Sequence, residues 1–235
     1  MNPICLGGYS SKVFVENFSR FSNEFKEKLD GIELFFRKPA DLLLFELNGE
    51  LKTYIQTLHF NSIHAPFADI TYGNDRKTSK ILAKLLKIYE SVGAKQVVFH
   101  PNEVKDFDVL EKTSMNILLE NMDCRKEKFQ RYSEFTPILK KYNFGICLDI
   151  AHAISMGGRT LDKFLENPEK IRQVHASFLK ELKHTPLYLA DEKIINELKK
   201  VKKLNCPFVI ENALTDENLL IKEIDFLKNH ENFDK

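Results

Sequence analysis

The stretch DRKTSKILAKLLKIYESVGAKQVVFHP, residues 75–101, decides the fold. Its first part has helical period: Ile81, Leu82, Leu85, Leu86, Ile88 and Tyr89 fall on one face. The spacing predicts a helix over residues 75–92, which Gly93 stops. Its last part, Gln96-Val97-Val98-Phe99-His100, is a short apolar run closed by Pro101, the pattern of a strand buried on both faces.

The same alternation continues in both directions. Short apolar runs stand at residues 3–7, 31–36, 58–65, 96–100, 116–120, 144–149, 171–175 and 207–211. Helical period fills the intervals at 10–28, 39–47, 75–92, 104–112, 133–142, 161–165, 191–203 and 216–229, with Ser10 or Ser11 and Ser133 or Thr136 as starts of the first and fifth. Eight strands alternating with eight helices imply a parallel sheet, either open and doubly wound or closed into a (β/α)8 barrel. No G-x-G-x-x-G or G-x-x-x-x-G-K-[ST] follows any run, which removes the main nucleotide-binding signatures of open sheets. A length of 235 residues fits one barrel. The expected fold class is therefore α/β, a single (β/α)8 TIM barrel over residues 1–235.

Composition narrows the partners. Lys plus Arg is 35 and Asp plus Glu is 34, so the net charge of +1 excludes a generally basic nucleic-acid-coating protein, though not a local basic patch. The start of the chain carries no basic segment followed by an apolar run, and no stretch approaches the ~18 apolar residues of a membrane span, so no membrane partner is expected. Cys5, Cys124, Cys147 and Cys206 form no C-x-x-C pair and read as reduced thiols of a cytoplasmic protein. With 19 Phe and no Trp, the chain favours rings that pack without needing a hydrogen-bond partner.

The chemistry sits at the strand ends. Six consecutive runs close on a metal-competent side chain: His64, His100, Glu120, Asp149, His175 and Glu211. Singly, a histidine there reads as structural and a carboxylate as a helix cap. Jointly they do not, because the carboxyl ends of barrel strands meet at one mouth. Three carboxylates and three imidazoles in a largely apolar mouth require a cation. Mixed His and carboxylate donors suit Zn, Mn, Co or Fe. His152, three residues past Asp149, leans over the same mouth, and His184 lies in the loop after the seventh strand; both are candidates for an additional metal or for substrate. His59 and His230 read as solvated or structural. Glu33 interrupts an apolar strand, either to pair with a basic group inside the barrel or to reach substrate. Arg37 and Lys180 are cations near the mouth or solvated loop charges, and Gly157-Gly158-Arg159 is a plain loop or a phosphate cradle.

These residues carry a resemblance. The segments Ser62-Ile63-His64-Ala65-Pro66-Phe67, Val98-Phe99-His100-Pro101, Leu119-Glu120-Asn121, Cys147-Leu148-Asp149-Ile150-Ala151-His152-Ala153, Val174-His175-Ala176 and Ile210-Glu211-Asn212 follow in order on successive strands. Together they resemble the xylose-isomerase-like barrel superfamily, which includes sugar and sugar-phosphate isomerases and epimerases and the endonuclease IV DNA-repair enzymes. The resemblance implies Glu120, Asp149, His175 and Glu211 as the shared ligand set, with Glu120 and Glu211 as acid and base in the epimerases. Under the endonuclease IV pattern, His64, His100 and Glu120 hold one ion, and Glu120 bridges to a second on Asp149, His175 and Glu211. That pattern has a third zinc on a histidine matching His152 and on an Asp-x-His pair; here the pair reads Leu182-Lys183-His184, with Leu182 at the Asp position.

Two reactions follow. The first is a divalent-metal-dependent isomerase or epimerase of a small sugar or sugar phosphate, working through a metal-stabilised enediolate with Glu120 and Glu211 moving the proton. The alternative is an endonuclease IV-like phosphodiesterase acting on abasic duplex DNA, which His64 and His100 favour by supplying ligands for a second ion. Either expects one or two divalent ions per chain, Zn or Mn foremost. A barrel that has lost catalysis is the third reading, and the retained ring of ligands argues against it.

Overall fold

The computed structural model describes residues 2–157 and 159–229. Gly158 and His230, both weighed above, lie outside the described residues, so the phosphate-cradle reading of residues 157–159 has no structural counterpart here. Strands β1 (Ile4–Leu6), β2 (Gly31–Phe35), β3 (Phe60–His64), β4 (Gln96–Phe99), β5 (Ile117–Glu120), β6 (Gly145–Asp149) and β7 (Ile171–Ala176) follow one another around a ring. A small antiparallel hairpin, β8 (Phe178–Lys180) and β9 (Lys183–Thr185), then precedes β10 (Phe208–Ile210), which pairs with both β7 and β1 and closes the barrel. All eight ring strands are parallel and their connections carry helices, so the molecule is a (β/α)8 barrel. Among the described residues, no helix is long and apolar enough to cross a membrane.

Helix ends follow local chemistry. The helix Arg76–Val92 starts at Asp75, whose carboxylate accepts the Thr78 N–H, and stops at Gly93 in the left-handed region at φ 62°. The helix expected over 10–28 is instead three pieces, Gly8–Glu16, Phe18–Arg20 and Asn23–Lys28. Asn17 breaks the first by turning its side-chain amide onto the Val13 carbonyl, and Ser22 caps the last. Ser10 is not a cap, because its hydroxyl bonds the Asn212 carbonyl at 3.0 Å. Ser133 does not start the helix Tyr132–Lys141 either. There the Glu134 carboxylate accepts the N–H groups of Phe129, Gln130 and Arg131. Helices Gly49–Thr57 and Ile150–Ser155, and the β8–β9 hairpin, occupy segments to which the sequence reading assigns neither helix nor strand.

Strand period of two sorts the side chains. One face of each strand packs on the helices in a single large core. The other faces the barrel axis and carries Cys5, Glu33, Ser62, Val98, Leu118, Cys147, Gln173 and Val209 at mid-height, with the apolar members forming two small clusters apart from the large core. The next inward position along each ring strand but β1, where it is Gly7, supplies Phe35, His64, His100, Glu120, Asp149, His175 and Glu211. The ring of candidate ligands is thus the top layer of the barrel filling. A register shift between Ile146 and Cys147 sets Asp149 opposite His175.

The lower barrel is tight. A Cβ on Gly31 would lie 2.0 Å from the Phe60 carbonyl oxygen and 2.6 Å from Cys5 Sγ, so β1, β2 and β3 close only around a glycine. Gly31→Ala is expected to lower stability by about 2 kcal/mol or more, the scale of overpacking in a core. Gly49→Ala, with nothing within 4 Å of its Cβ, serves as the control and is expected to be neutral or slightly stabilising. Urea unfolding of the two variants side by side checks this.

Candidate metal centre

Backbone positions fix the donors. His64, Glu120 and Asp149 end their strands, His100 and Glu211 follow β4 and β10 directly, and His175 is one residue short of the end of β7. His152 rises from the helix Ile150–Ser155, and His184 hangs from β9. The side chains fall into three groups, each with its donor atoms within 4.8 Å of one another: His64, His100 and Glu120; Glu120, Asp149, His175 and Glu211; and Asp149, His152 and His184. Glu120 and Asp149 each belong to two groups. All eight candidates from the sequence are therefore brought together, and the third group is closed by Asp149 rather than by the Asp that Leu182 replaces.

Glu120 is the hub. Its Oε2 lies 3.1 Å from His64 Nε2, 3.4 Å from His100 Nε2 and 3.5 Å from His175 Nδ1, and its Oε1 lies 3.3 Å from His152 Nδ1. Asp149 divides its oxygens: Oδ1 caps the following helix by accepting the His152 N–H at 2.7 Å, and Oδ2 is left facing the cluster. Asn121 holds it there, accepting the Asp149 N–H and donating to its carbonyl at 2.8 and 2.9 Å.

Ring orientation tests whether the site fits a cation. His64 Nδ1–H donates to the Ala65 carbonyl at 3.0 Å, which leaves the Nε2 lone pair against the Glu120 carboxylate. His152 Nδ1–H likewise donates to the Asn121 carbonyl at 2.8 Å. Phe67 stacks on His100 at 4.3 Å and meets His64 edge-on at 5.3 Å, holding both ring planes. A lone pair aimed at a carboxylate needs a proton or a metal ion between them. Glu120 Oε1, Asp149 Oδ2, His175 Nδ1 and Glu211 Oε2 are buried and have no hydrogen bond, and all four point into the clusters. The residues present fit divalent ions.

Electrostatics follow the same lines. Burial pushes the Glu120 carboxyl up, but His100 and His175 outweigh it and hold it well below the usual carboxylate range. For Asp149 burial prevails over His152 and His184, and the carboxyl rises to about 7. Burial pulls His152 down, yet Asp149 and Glu120 lift it to about 10. His64 and His100 diverge: burial lowers both, the Glu120 hydrogen bond wins for His64, and burial wins for His100.

A cavity of about 630 Å³ opens above the cluster, reaching Glu120, His100, His152, His184 and Glu211. Its rim adds Arg37, Arg125 and Lys126, together with Tyr9, Phe35 and Phe67. Arg37 is thus at the mouth, whereas Lys180 lies exposed on the hairpin and does not line the cavity, and exposed His59 precedes β3 at the opposite end. Glu33 pairs inside the barrel, with His175. Asp123, Arg125 and Lys126 were not singled out from the sequence. Asp123 lies 3.9 Å from His152 Nε2 and is bonded by Arg125 Nε at 2.6 Å. The run Asp123-Cys124-Arg125-Lys126 directly after a ligand strand was the available signal.

The closed parallel barrel is a fold shared with solved structures. Among solved structures the chain is similar to a D-tagatose 3-epimerase-like protein at 19% identity and TM-score 0.66, covering 96% of this chain and 98% of that one. It is similar to endonuclease IV from Thermus thermophilus at 18% identity and TM-score 0.70, covering 96% and 98%. A xylose isomerase domain containing protein from Salmonella typhimurium aligns at 14% identity and TM-score 0.68, covering 97% and 100%. By sequence, the chain matches no family model and no curated protein.

Metal affinity is expected to fall as pH is lowered. His152 is lifted in the folded protein, so below its raised pKa a proton occupies a donor that an ion must displace. Binding of Zn²⁺ at pH 7 should therefore release protons. Calorimetric titration in two buffers of different ionisation enthalpy reads this directly, and equal heats in both would contradict it.

Proposed function

We propose that this protein is a metal-dependent phosphodiesterase of the endonuclease IV kind, with Zn²⁺ as the ion and a phosphodiester at an abasic site in DNA as the substrate. The observation that carries this reading is the sharing of Glu120 and Asp149 between neighbouring ligand groups. Shared carboxylates suit adjacent ions, and three overlapping groups exceed what a one-ion reaction uses. Bound ions would supply Lewis acidity for the phosphoryl oxygens and a water-derived nucleophile at neutral pH.

The chain's own residues do the rest. His64 and His100 hold one side of Glu120, and His152 and His184 extend the cluster from Asp149. Arg37, Arg125 and Lys126 offset phosphate charge at the rim, while Phe67 keeps a dry wall beside His100. The similarity to endonuclease IV supports the same reading.

The isomerase or epimerase, foremost in the sequence, is the second reading. The group Glu120, Asp149, His175 and Glu211 is complete for one ion, and a cavity of about 630 Å³ suits a sugar. Against it, Glu120 Oε2 stands among three imidazoles, those of His64, His100 and His175, which commits that oxygen to the cluster rather than to a carbon-bound proton.

Metal content and activity test the proposal. Wild type is expected to hold more than one Zn²⁺ per chain and to cleave an abasic-site oligonucleotide duplex. His64→Ala with His100→Ala should lower metal content by about one ion, His152→Ala with His184→Ala should remove a different one, and either pair should abolish cleavage. A single ion in wild type, unchanged in both variants, together with exchange of a sugar carbon-bound hydrogen into deuterated water, would select the epimerase instead.

A further inference from the structure

Beneath the ligand ring lies a buried acid that neither reaction uses. Glu33 is the third residue of β2, inside the barrel and without solvent exposure. Its Oε2 accepts from Gln173 Nε2 at 2.6 Å and from Ser62 Oγ at 3.1 Å. Its Oε1 has no such donor and instead lies 3.2 Å from His175 Nε2. The opposite nitrogen of that imidazole, Nδ1, lies 3.0 Å from Glu211 Oε2 and 3.5 Å from Glu120 Oε2. His175 is therefore strung between an acid below and the ligand group above.

We propose that Glu33 is the positioning residue for His175: by accepting the Nε2–H it fixes the tautomer whose Nδ1 lone pair faces Glu120, Asp149 and Glu211. The direction follows from what each neighbour can do. Glu33 only accepts, so the nitrogen beside it carries the proton. Gln173 Nε2, a donor 3.1 Å from the same ring nitrogen, is the competitor, because a bond from it would need a lone pair on Nε2; it already gives a hydrogen to Glu33 Oε2 at 2.6 Å, and the two Glu33 oxygens, 3.2 and 3.4 Å from Nε2, are the acceptors that reach that nitrogen. Ser62 and Gln173 anchor the Glu33 carboxylate, so that its one open oxygen points at the ring. A carboxylate behind a metal-binding imidazole fixes its orientation and raises its basicity. The role concerns the ligand group common to both reactions, and so stands whether or not the substrate is a phosphodiester.

The test reads metal rather than turnover. Zn²⁺ affinity is measured by competition with a chromogenic chelator in wild type, Glu33→Gln, Glu33→Ala and the control Ser62→Ala. Substitution of Glu33 is expected to weaken one ion by about 10–100-fold, the usual cost of losing such a partner, and to leave the His64–His100 group loaded. Glu33→Gln retains an acceptor oxygen and should fall between wild type and Glu33→Ala. Ser62→Ala removes a hydrogen bond from Glu33 but not the His175 acceptor, and should stay close to wild type. With Zn²⁺ bound, ¹⁵N spectra of the imidazoles should place the proton of His175 on Nε2 in wild type and lose that fixed tautomer in Glu33→Ala. If Glu33→Ala does not fold, Glu33→Gln and the wild-type tautomer decide the matter. Unchanged Zn²⁺ affinity in folded Glu33 variants, or a wild-type His175 protonated on Nδ1, would overturn the proposal. Loss of abasic-site cleavage with normal Zn²⁺ affinity would bear on the reaction and not on Glu33.

Discussion

Four carboxylates, those of Glu33, Glu120, Asp149 and Glu211, are gathered within the upper half of one barrel, and the rest of the site answers to that charge. An isolated carboxylate withdrawn from water is costly enough to unfold or neutralise its surroundings. No lysine or arginine side chain pairs with these four among the described residues. The countercharge comes from imidazoles, with His175 between Glu33 and Glu211, and His64, His100 and His152 around Glu120. Imidazole is suited to this place because it can deliver positive charge either as a proton or as a bound ion through the same nitrogen.

Barrel geometry makes that concentration unavoidable. Every ring strand points the same way, and alternate residues face the axis, so polar residues at matching strand positions meet whatever their separation in sequence. Nearly the whole chain is needed to bring His64 and Glu211 into one site. The layers beneath give the ring something rigid to rest on: Cys5, Phe60 and Val209 pack on one side, and Val98, Leu118 and Cys147 on the other. Gly31 lets the lower strands approach closely enough for those layers to close.

What could be read from the sequence follows from which interactions are local. The eight strands were legible because each is a short apolar run, six of them closed by a polar residue, and the helix Arg76–Val92 because its face and its caps, Asp75 and Gly93, are set locally. The ligand ring was legible for the same reason, since each donor stands at a strand end. The break at Asn17, the start at Gly8 and the capping role of Glu134 depend on side chains meeting backbone in ways that periodicity does not encode. The partner of Glu33 was undecidable, because Gln173 and His175 lie some 140 residues away and only barrel closure brings them to β2. Leu182 suggested an incomplete third group, but Asp149, from the end of the neighbouring strand β6, completes the group while still capping its own helix.

The reaction class turns on the histidines outside the group Glu120, Asp149, His175 and Glu211. If His64 and His152 only hydrogen-bonded a sugar hydroxyl, either tautomer would serve, because a hydroxyl both donates and accepts. One nitrogen of each is instead committed to a backbone carbonyl, of Ala65 and of Asn121, which accepts and cannot donate. For His152 that nitrogen, Nδ1, is also the one 3.3 Å from Glu120, so its lone pair falls on Nε2, toward Asp123 at 3.9 Å. For His64 the lone pair is directed at a carboxylate oxygen 3.1 Å away, an arrangement that is repulsive unless positive charge lies between. A fold that spends a backbone carbonyl on fixing such a conflict needs positive charge at this position, whether a proton or an ion. Under the proposed function that charge is an ion sharing Glu120 with its neighbour.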